Sequence, residues 1–209
     1  MEKTTETTAV DGEFAALCAR AWDVLVPARA GCLAGVSAHY DEVFDEVAQR
    51  VRSSGSLGKT DIAALTVWKR LTARTPWVAE LMELSDAQVR AVTGRAVAAV
   101  RNRALPRGEA ARAGRAVLGE LPGFRTGDAL ASAVLTAAAP ARMAVYDRRV
   151  QGALDALGFT LTPAPGRYGR YLRLLDGLLL HGGTRADGWT ARDLDTALYW
   201  AGGDGPQPS

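Results

Sequence analysis

Asp147 is the residue of this chain best placed to do chemistry, because of what precedes it. A short turn, Leu121-Pro122-Gly123-Phe124-Arg125-Thr126-Gly127-Asp128, separates two helical patterns, and the second runs through an Ala-rich stretch to Pro140. Ala144-Val145-Tyr146 then leads into Asp147-Arg148-Arg149. A Gly-containing turn at a helix start presents consecutive backbone N–H groups and the positive end of the helix dipole, a setting that holds a phosphate. Gly123 and Gly127 permit positive φ and close backbone approach. Such contacts position a protein on a nucleic-acid backbone without reading its bases. Gly123, Phe124, Arg125, Thr126, Gly127, Arg148 and Arg149 are therefore candidate contacts to a nucleic-acid backbone, and Asp147 is the acid that can act on whatever the phosphate positions. The same residues also suit plainer roles. The turn can be an ordinary helix–helix corner, and Asp147 opens the next helix, where aspartate is a common N-cap.

Other residues able to do chemistry are few. Trp68-Lys69-Arg70 places an aromatic ring beside two cations, a combination that can border a pocket, and Tyr146 adjoins the acid. The remaining tryptophans, Trp22, Trp77, Trp189 and Trp200, lie in apolar helical text that reads as core. Asp193 and Asp195 are two positions apart on a helix and point to different faces, so they do not form a shared site. His39 and His181 are far apart and in no ligand spacing, and two cysteines, Cys18 and Cys32, cannot make a four-cysteine site. No metal and no cofactor is expected. Gly182-Gly183 and Gly202-Gly203 lack the Lys-Ser/Thr that would make a P-loop.

The elements that must position these residues read as helices. Ala and Leu dominate the 209 residues while β-branched and aromatic runs are scarce. The expected fold is all-α, one compact domain over residues 11–202, with a disordered tail at 1–10 and a frayed tail at 203–209. The first helix is expected from Gly12 to Val26, ending at Pro27, and the second from Ser37 to Arg52. Thr60, Ser85, Asp147 and Thr190 read as N-caps of later helices. Charge is uneven: residues 1–61 carry net −4, residues 62–173 net +9 and residues 174–209 net −3. A basic middle suits a polyanion, and it also suits a set of solvated arginine faces. No apolar run is long enough to span a bilayer, and the polar N-terminus is not a secretory signal. The expected setting is the cytoplasm, on the nucleoid, with no membrane partner.

Residues 109–158 resemble the helix-hairpin-helix DNA glycosylase superfamily. The resemblance rests on Leu121, Pro122, Gly123, apolar Phe124, Thr126, Ala129, Pro140, Val145 and Asp147, in the order that superfamily uses. The Trp68-Lys69 helix and the segments Tyr168–Tyr171 and Leu194–Trp200 look like an 8-oxoguanine-glycosylase-like bacterial branch. The resemblance implies a helix-hairpin-helix element, duplex DNA as partner, a possible flipped base, and Asp147 stabilising a cationic sugar as a base leaves. The chain departs from the pattern in three places. The second hairpin glycine is Arg125, and the position of the imine-forming lysine is Gly127. The cysteines of the iron–sulfur members are absent. Of the three lysines, Lys3, Lys59 and Lys69, none is in the hairpin. The expectation is a monofunctional N-glycosylase without Schiff-base lyase chemistry. The alternative is a DNA-binding or lesion-sensing module that keeps the fold without the activity.

Overall fold

A computed structural model describes the backbone of residues 2–72 and 76–203, and the side chains of those residues from position 12 onward. Among the described residues the protein is all-helical. The helices are α1 (Glu2–Gly35), α2 (Glu42–Ser54), α3 (Lys59–Trp68), α4 (Pro76–Glu83), α5 (Asp86–Arg101), α6 (Arg107–Leu118), α7 (Ala129–Ala138), α8 (Arg148–Ala156), α9 (Arg167–His181) and α10 (Ala191–Ala201). No described helix is long and apolar enough to cross a membrane.

Three helix starts are set by a capping side chain. Ser85 and Thr190 each close a reciprocal capping box, with Gln88 and Asp193, and Asp147 accepts the Val150 N–H at the head of α8. Each satisfies an amide that a helix start leaves without an intrahelical partner. Other boundaries differ from expectation. Thr60 does not cap α3: the helix already starts at Lys59 with Gly58 as its N-cap, and the Asp61 carboxylate accepts the Gly58 N–H, so Thr60 lies inside the first turn. The first helix does not stop at Pro27 but runs to Gly35. Proline removes one N–H, and the carbonyl it strands is that of Asp23, which is exposed and can be hydrated. Beyond the proline, Ala28 and Cys32 are buried against the core, so packing offsets the lost bond. The second helix begins at Glu42, because Tyr40 donates its N–H to Ser37 in a turn. The stretch expected as a tail at 1–10 holds the first turns of α1, from Glu2. All but the first residue of the expected 203–209 tail lies outside the described residues.

α7 is the axis of the molecule. Its residues Leu130 to Ala138 are all buried, so it has no solvent face. α2, α3, α5 and α6 pack around it, and α6 and α5 run tightly together. A second group, α1, α8, α9 and α10, packs mainly on itself and joins the first through α6 and α9. Trp22 on α1 donates its indole N–H to the Leu178 carbonyl at 3.0 Å, fixing α1 on α9. Gly31 and Gly35, one turn apart on α1, leave room for the indole of Trp200, which lies within about van der Waals distance of both backbones.

Candidate functional site

The segment Ala144-Val145-Tyr146 is extended, and buried side chains clamp its backbone. The Ala144 carbonyl accepts from the Tyr168 hydroxyl at 2.9 Å, and the Val145 carbonyl from the Tyr171 hydroxyl at 3.1 Å. The Val145 N–H donates to Asp195 Oδ2 at 2.6 Å. Ser132 Oγ meets both backbone groups of Tyr146, accepting its N–H at 2.9 Å and donating to its carbonyl at 3.1 Å. Buried backbone polar groups need such partners, and here side chains supply five of the segment's six. Ser132 lies in the first turn of α7. After leaving the far end of α7, the chain has therefore come back alongside it, and Asp147 sits at the end of α7 that carries the Gly123–Asp128 turn. Arg167 ties the two together: it pairs with Asp128 at 2.9 Å and stacks over the Tyr146 ring at 5.1 Å.

Asp147 uses its carboxylate twice. Oδ1 accepts the Val150 N–H at 3.0 Å as the cap of α8, and Oδ2 pairs with Lys69 Nζ. The two side chains are 13% and 10% exposed, so the pair is largely withdrawn from water but open on one side. That side is a cavity of about 570 Å³, bordered by the end of α1, the end of α3, the start of α8 and one face of α10. Tyr40, Trp68, Tyr199 and Trp200 form aromatic walls. Arg192 and Asp195 close the floor at 2.6 Å from each other, and Arg192 also reaches Asp41 at 3.2 Å. The Arg192 guanidinium stacks on Trp68, whose indole N–H donates to Asp41 at 3.1 Å. Burial pulls the Arg192 pKa down, but the Asp195 and Asp41 carboxylates outweigh it and push the value above its usual range. Burial also pushes Asp195 up to about 6, against the lowering effects of Arg192, the Val145 amide and Lys69. Among the described residues, no three His, Cys, Asp or Glu side chains gather as a metal site would require.

Lys69 and Arg70 reach the cavity through the way α3 ends. The Leu71 N–H bonds back to the Thr66 carbonyl and the Arg70 N–H to Val67, a Schellman ending. That ending needs a left-handed residue, usually glycine, and here Arg70 holds it at φ 55°. The conformation costs an arginine about 1 kcal/mol relative to glycine. The turn directs the chain so that Lys69 faces Asp147 while Arg70 stays exposed at the rim.

Asp147, Trp68, Lys69 and Arg149 thus share one cavity. Tyr146 does not line it: the ring is buried against Tyr171, and its hydroxyl meets Gln151. The turn before α7 divides sharply. Phe124 is fully buried and its N–H is taken by the Leu121 carbonyl, so its side chain and amide both serve packing. Gly123, at φ 86°, lies under the Trp77 ring, where any Cβ would collide. Arg125, Thr126 and Gly127 are exposed, with Gly127 at φ 72° facing open space and Arg125 paired to Glu80 at 3.2 Å. Arg148 is exposed at the start of α8. Cys18 and Cys32 are buried free thiols, and Cys32 forms part of the cavity wall.

No protein-family model, curated protein or solved structure matches this chain.

Sequence reasoning missed the residues that hold Asp147 in place. Ser132 reads as an ordinary helix residue, Tyr168 and Tyr171 carry only a likeness and no assigned role, and Asp195 is set apart from Asp193 only by helical phase. That phase was a real signal. Asp193 faces outward, completing the α10 capping box with Thr190 and paired with Arg29, and Asp195 faces inward.

Proposed function

We propose that the protein is a DNA glycosylase-like enzyme that binds duplex DNA and removes a damaged or modified base. In this reading α6, the Gly123–Asp128 turn and α7 act as a helix-hairpin-helix element. The exposed backbone of Arg125, Thr126 and Gly127 meets phosphates, with Arg148 and Arg149 adding charge. The observation that carries the reading is the position of Asp147. It faces an aromatic-walled cavity from a segment pinned to the same helix turn that follows the exposed loop.

The chemistry assigned to Asp147 is electrostatic. The C1′–N bond breaks with its electron pair leaving on the base, and the sugar becomes cationic at C1′. A fixed carboxylate stabilises that charge in a site where water is sparse. Water then adds at C1′ and releases its proton. The cavity volume accommodates a flipped nucleobase, and the aromatic walls give it surfaces to stack on.

The test is excision from duplexes carrying a panel of lesions, with wild type and Asp147→Asn compared. Equal excision by both overturns the catalytic role. Salt-dependent binding without an abasic product on any lesion makes the protein a DNA-binding module instead. One observation favours a second reading, in which Lys69 acts. Its amine touches Asp147 across the cavity although the turn itself carries no lysine. With its proton passed to Asp147, the Lys69 amine attacks C1′ as the base leaves with the electron pair of the C1′–N bond; the C1′–O4′ bond then opens, O4′ takes a proton, and a C1′=N imine to Lys69 remains. Borohydride trapping of a protein–DNA adduct, lost in Lys69→Arg, distinguishes this from hydrolysis.

A further inference from the structure

Four cations line the cavity, and they fall into two kinds. Lys69 is neutralised by Asp147, and Arg192 by Asp195 and Asp41. Arg70 and Arg149 have no carboxylate partner among the described residues, and both are exposed at the rim. Each is nonetheless held in place. The Arg70 guanidinium lies 5.9 Å from the centroid of Tyr40, and that of Arg149 lies 4.9 Å from the centroid of Tyr199. Tyr40 and Tyr199 both belong to the cavity wall. The rim therefore carries two uncompensated, pre-oriented guanidinium forks.

Arg70 adds a second argument. It occupies a left-handed position that glycine fills more cheaply. Backbone geometry alone does not call for an arginine there, so its contribution comes from the side chain. A planar guanidinium with free N–H groups matches the oxygens of a phosphate, and does so better than a lysine ammonium. Stacking on an aromatic face leaves the N–H edge free for that contact.

We propose that Arg70 and Arg149 form a phosphate clamp at the mouth of this cavity, so that its ligand is a phosphate-bearing nucleotide rather than a free base or nucleoside. The proposal rests on the reading of the cavity as a nucleobase site and adds the residues that recognise the attached phosphate. Phosphate of this kind belongs either to a nucleic-acid strand or to a free nucleotide, and the clamp chemistry is the same for both.

The test is binding of the full-length protein at low salt, followed by calorimetry and by the fluorescence of Trp68 and Trp200. The probes are 2′-deoxyguanosine, its 5′-monophosphate, inorganic phosphate, and a duplex containing a tetrahydrofuran abasic analogue. The monophosphate is expected to bind at least about tenfold more tightly than the nucleoside, the scale of one charge-assisted hydrogen bond. Arg149→Gln and Arg70→Gly should each remove about that preference, or weaken duplex binding by a similar factor. Arg103→Gln, an exposed change outside the cavity, should not. Arg70→Gly is the informative variant, because glycine suits the left-handed backbone there and thermal unfolding of the variant separates lost binding from lost fold.

Binding of the duplex alone, weakened by Arg70→Gly and Arg149→Gln, supports the clamp and makes the strand its source. Binding of the free nucleotide alone supports the clamp and removes the DNA reading. Equal binding of nucleoside and nucleotide, no binding of any phosphate probe, or unchanged binding in both variants overturns the clamp. Loss of excision activity as a hypothesis leaves these comparisons intact, and excision that survives both substitutions without weakened binding removes the clamp alone.

Discussion

Asp128 and Asp147 occupy the same position in two consecutive helices, the residue before the first turn of α7 and of α8. Their side chains are 11% and 13% exposed, so burial does not separate them. Their surroundings do. Asp128 makes no cap hydrogen bond and lies between two arginines, Arg115 and Arg167, each at 2.9 Å. Its negative charge is fully compensated and it fastens the turn to α6 and α9. Asp147 caps its helix with one oxygen and offers the other to a single lysine beside an open cavity. An acid at a helix start becomes a candidate for chemistry when one oxygen faces space a substrate can enter. The cap itself is neutral on the question.

The sharpest break of this comparison is a matched pair of substitutions. Asp147→Asn keeps a good capping residue, so the fold should hold while excision falls by about 10²–10³-fold, the scale of losing one preorganised electrostatic group. Asp128→Asn should leave the excision rate within a few-fold and cost about 2 kcal/mol in denaturant unfolding, because two arginines lose a charged partner. The reverse pattern would reassign the active acid to the turn.

Asp195 extends the comparison to pH. Its folded-state pKa of about 6 stands above the unfolded value near 3.8, so between those values the folded protein binds more protons. The contribution of this group to stability therefore falls as pH rises from about 4 through 6, by about 3 kcal/mol in all, and stays low above that. Unfolding free energies across that window, wild type against Asp195→Asn, should show this downward slope in the difference. A flat difference would mean that Arg192 holds Asp195 ionised throughout.

Ser132→Ala tests whether the clamp on the Asp147 segment matters for rate as well as stability. Two buried backbone groups of Tyr146 lose their partner, at about 2 kcal/mol. A loss confined to kcat would mark misplacement of Asp147, and a loss in stability alone would make Ser132 a packing residue. The smallest effect is expected from Arg70→Gly, which should stabilise the fold by about 1 kcal/mol through release of the left-handed strain. Thermal unfolding measures it, and destabilisation would show that stacking on Tyr40 outweighs the strain.

Much of the fold could be read from the chain, for reasons that are local. Ser85, Asp147 and Thr190 announce helix starts because a cap bonds to an amide two or three residues away. Pro27 misled because a proline's cost is local while the gain from burying Ala28 and Cys32 beyond it is not. The turn before α7 was visible as a turn, but its sidedness was not. Phe124 is apolar, and only the core around it makes it a plug rather than a contact. Tyr146 was placed beside the acid in sequence, yet an extended backbone sends neighbouring side chains to opposite sides.

The sequence by itself determined the all-helical character, the caps Ser85, Asp147 and Thr190, the glycines that let the turn form, and the acid that heads α8. Each of these is decided by neighbours within a turn or two. Only the tertiary structure decided that Lys69, 78 positions away, meets Asp147, and that Asp195, 50 positions beyond Val145, holds the segment leading to it. Such pairs leave no periodic trace in a single chain, because they depend on how the end of α3, the start of α8 and one face of α10 converge on the cavity. The cavity is the space left where those helix ends meet, so its walls become residues of one site only when the chain has packed.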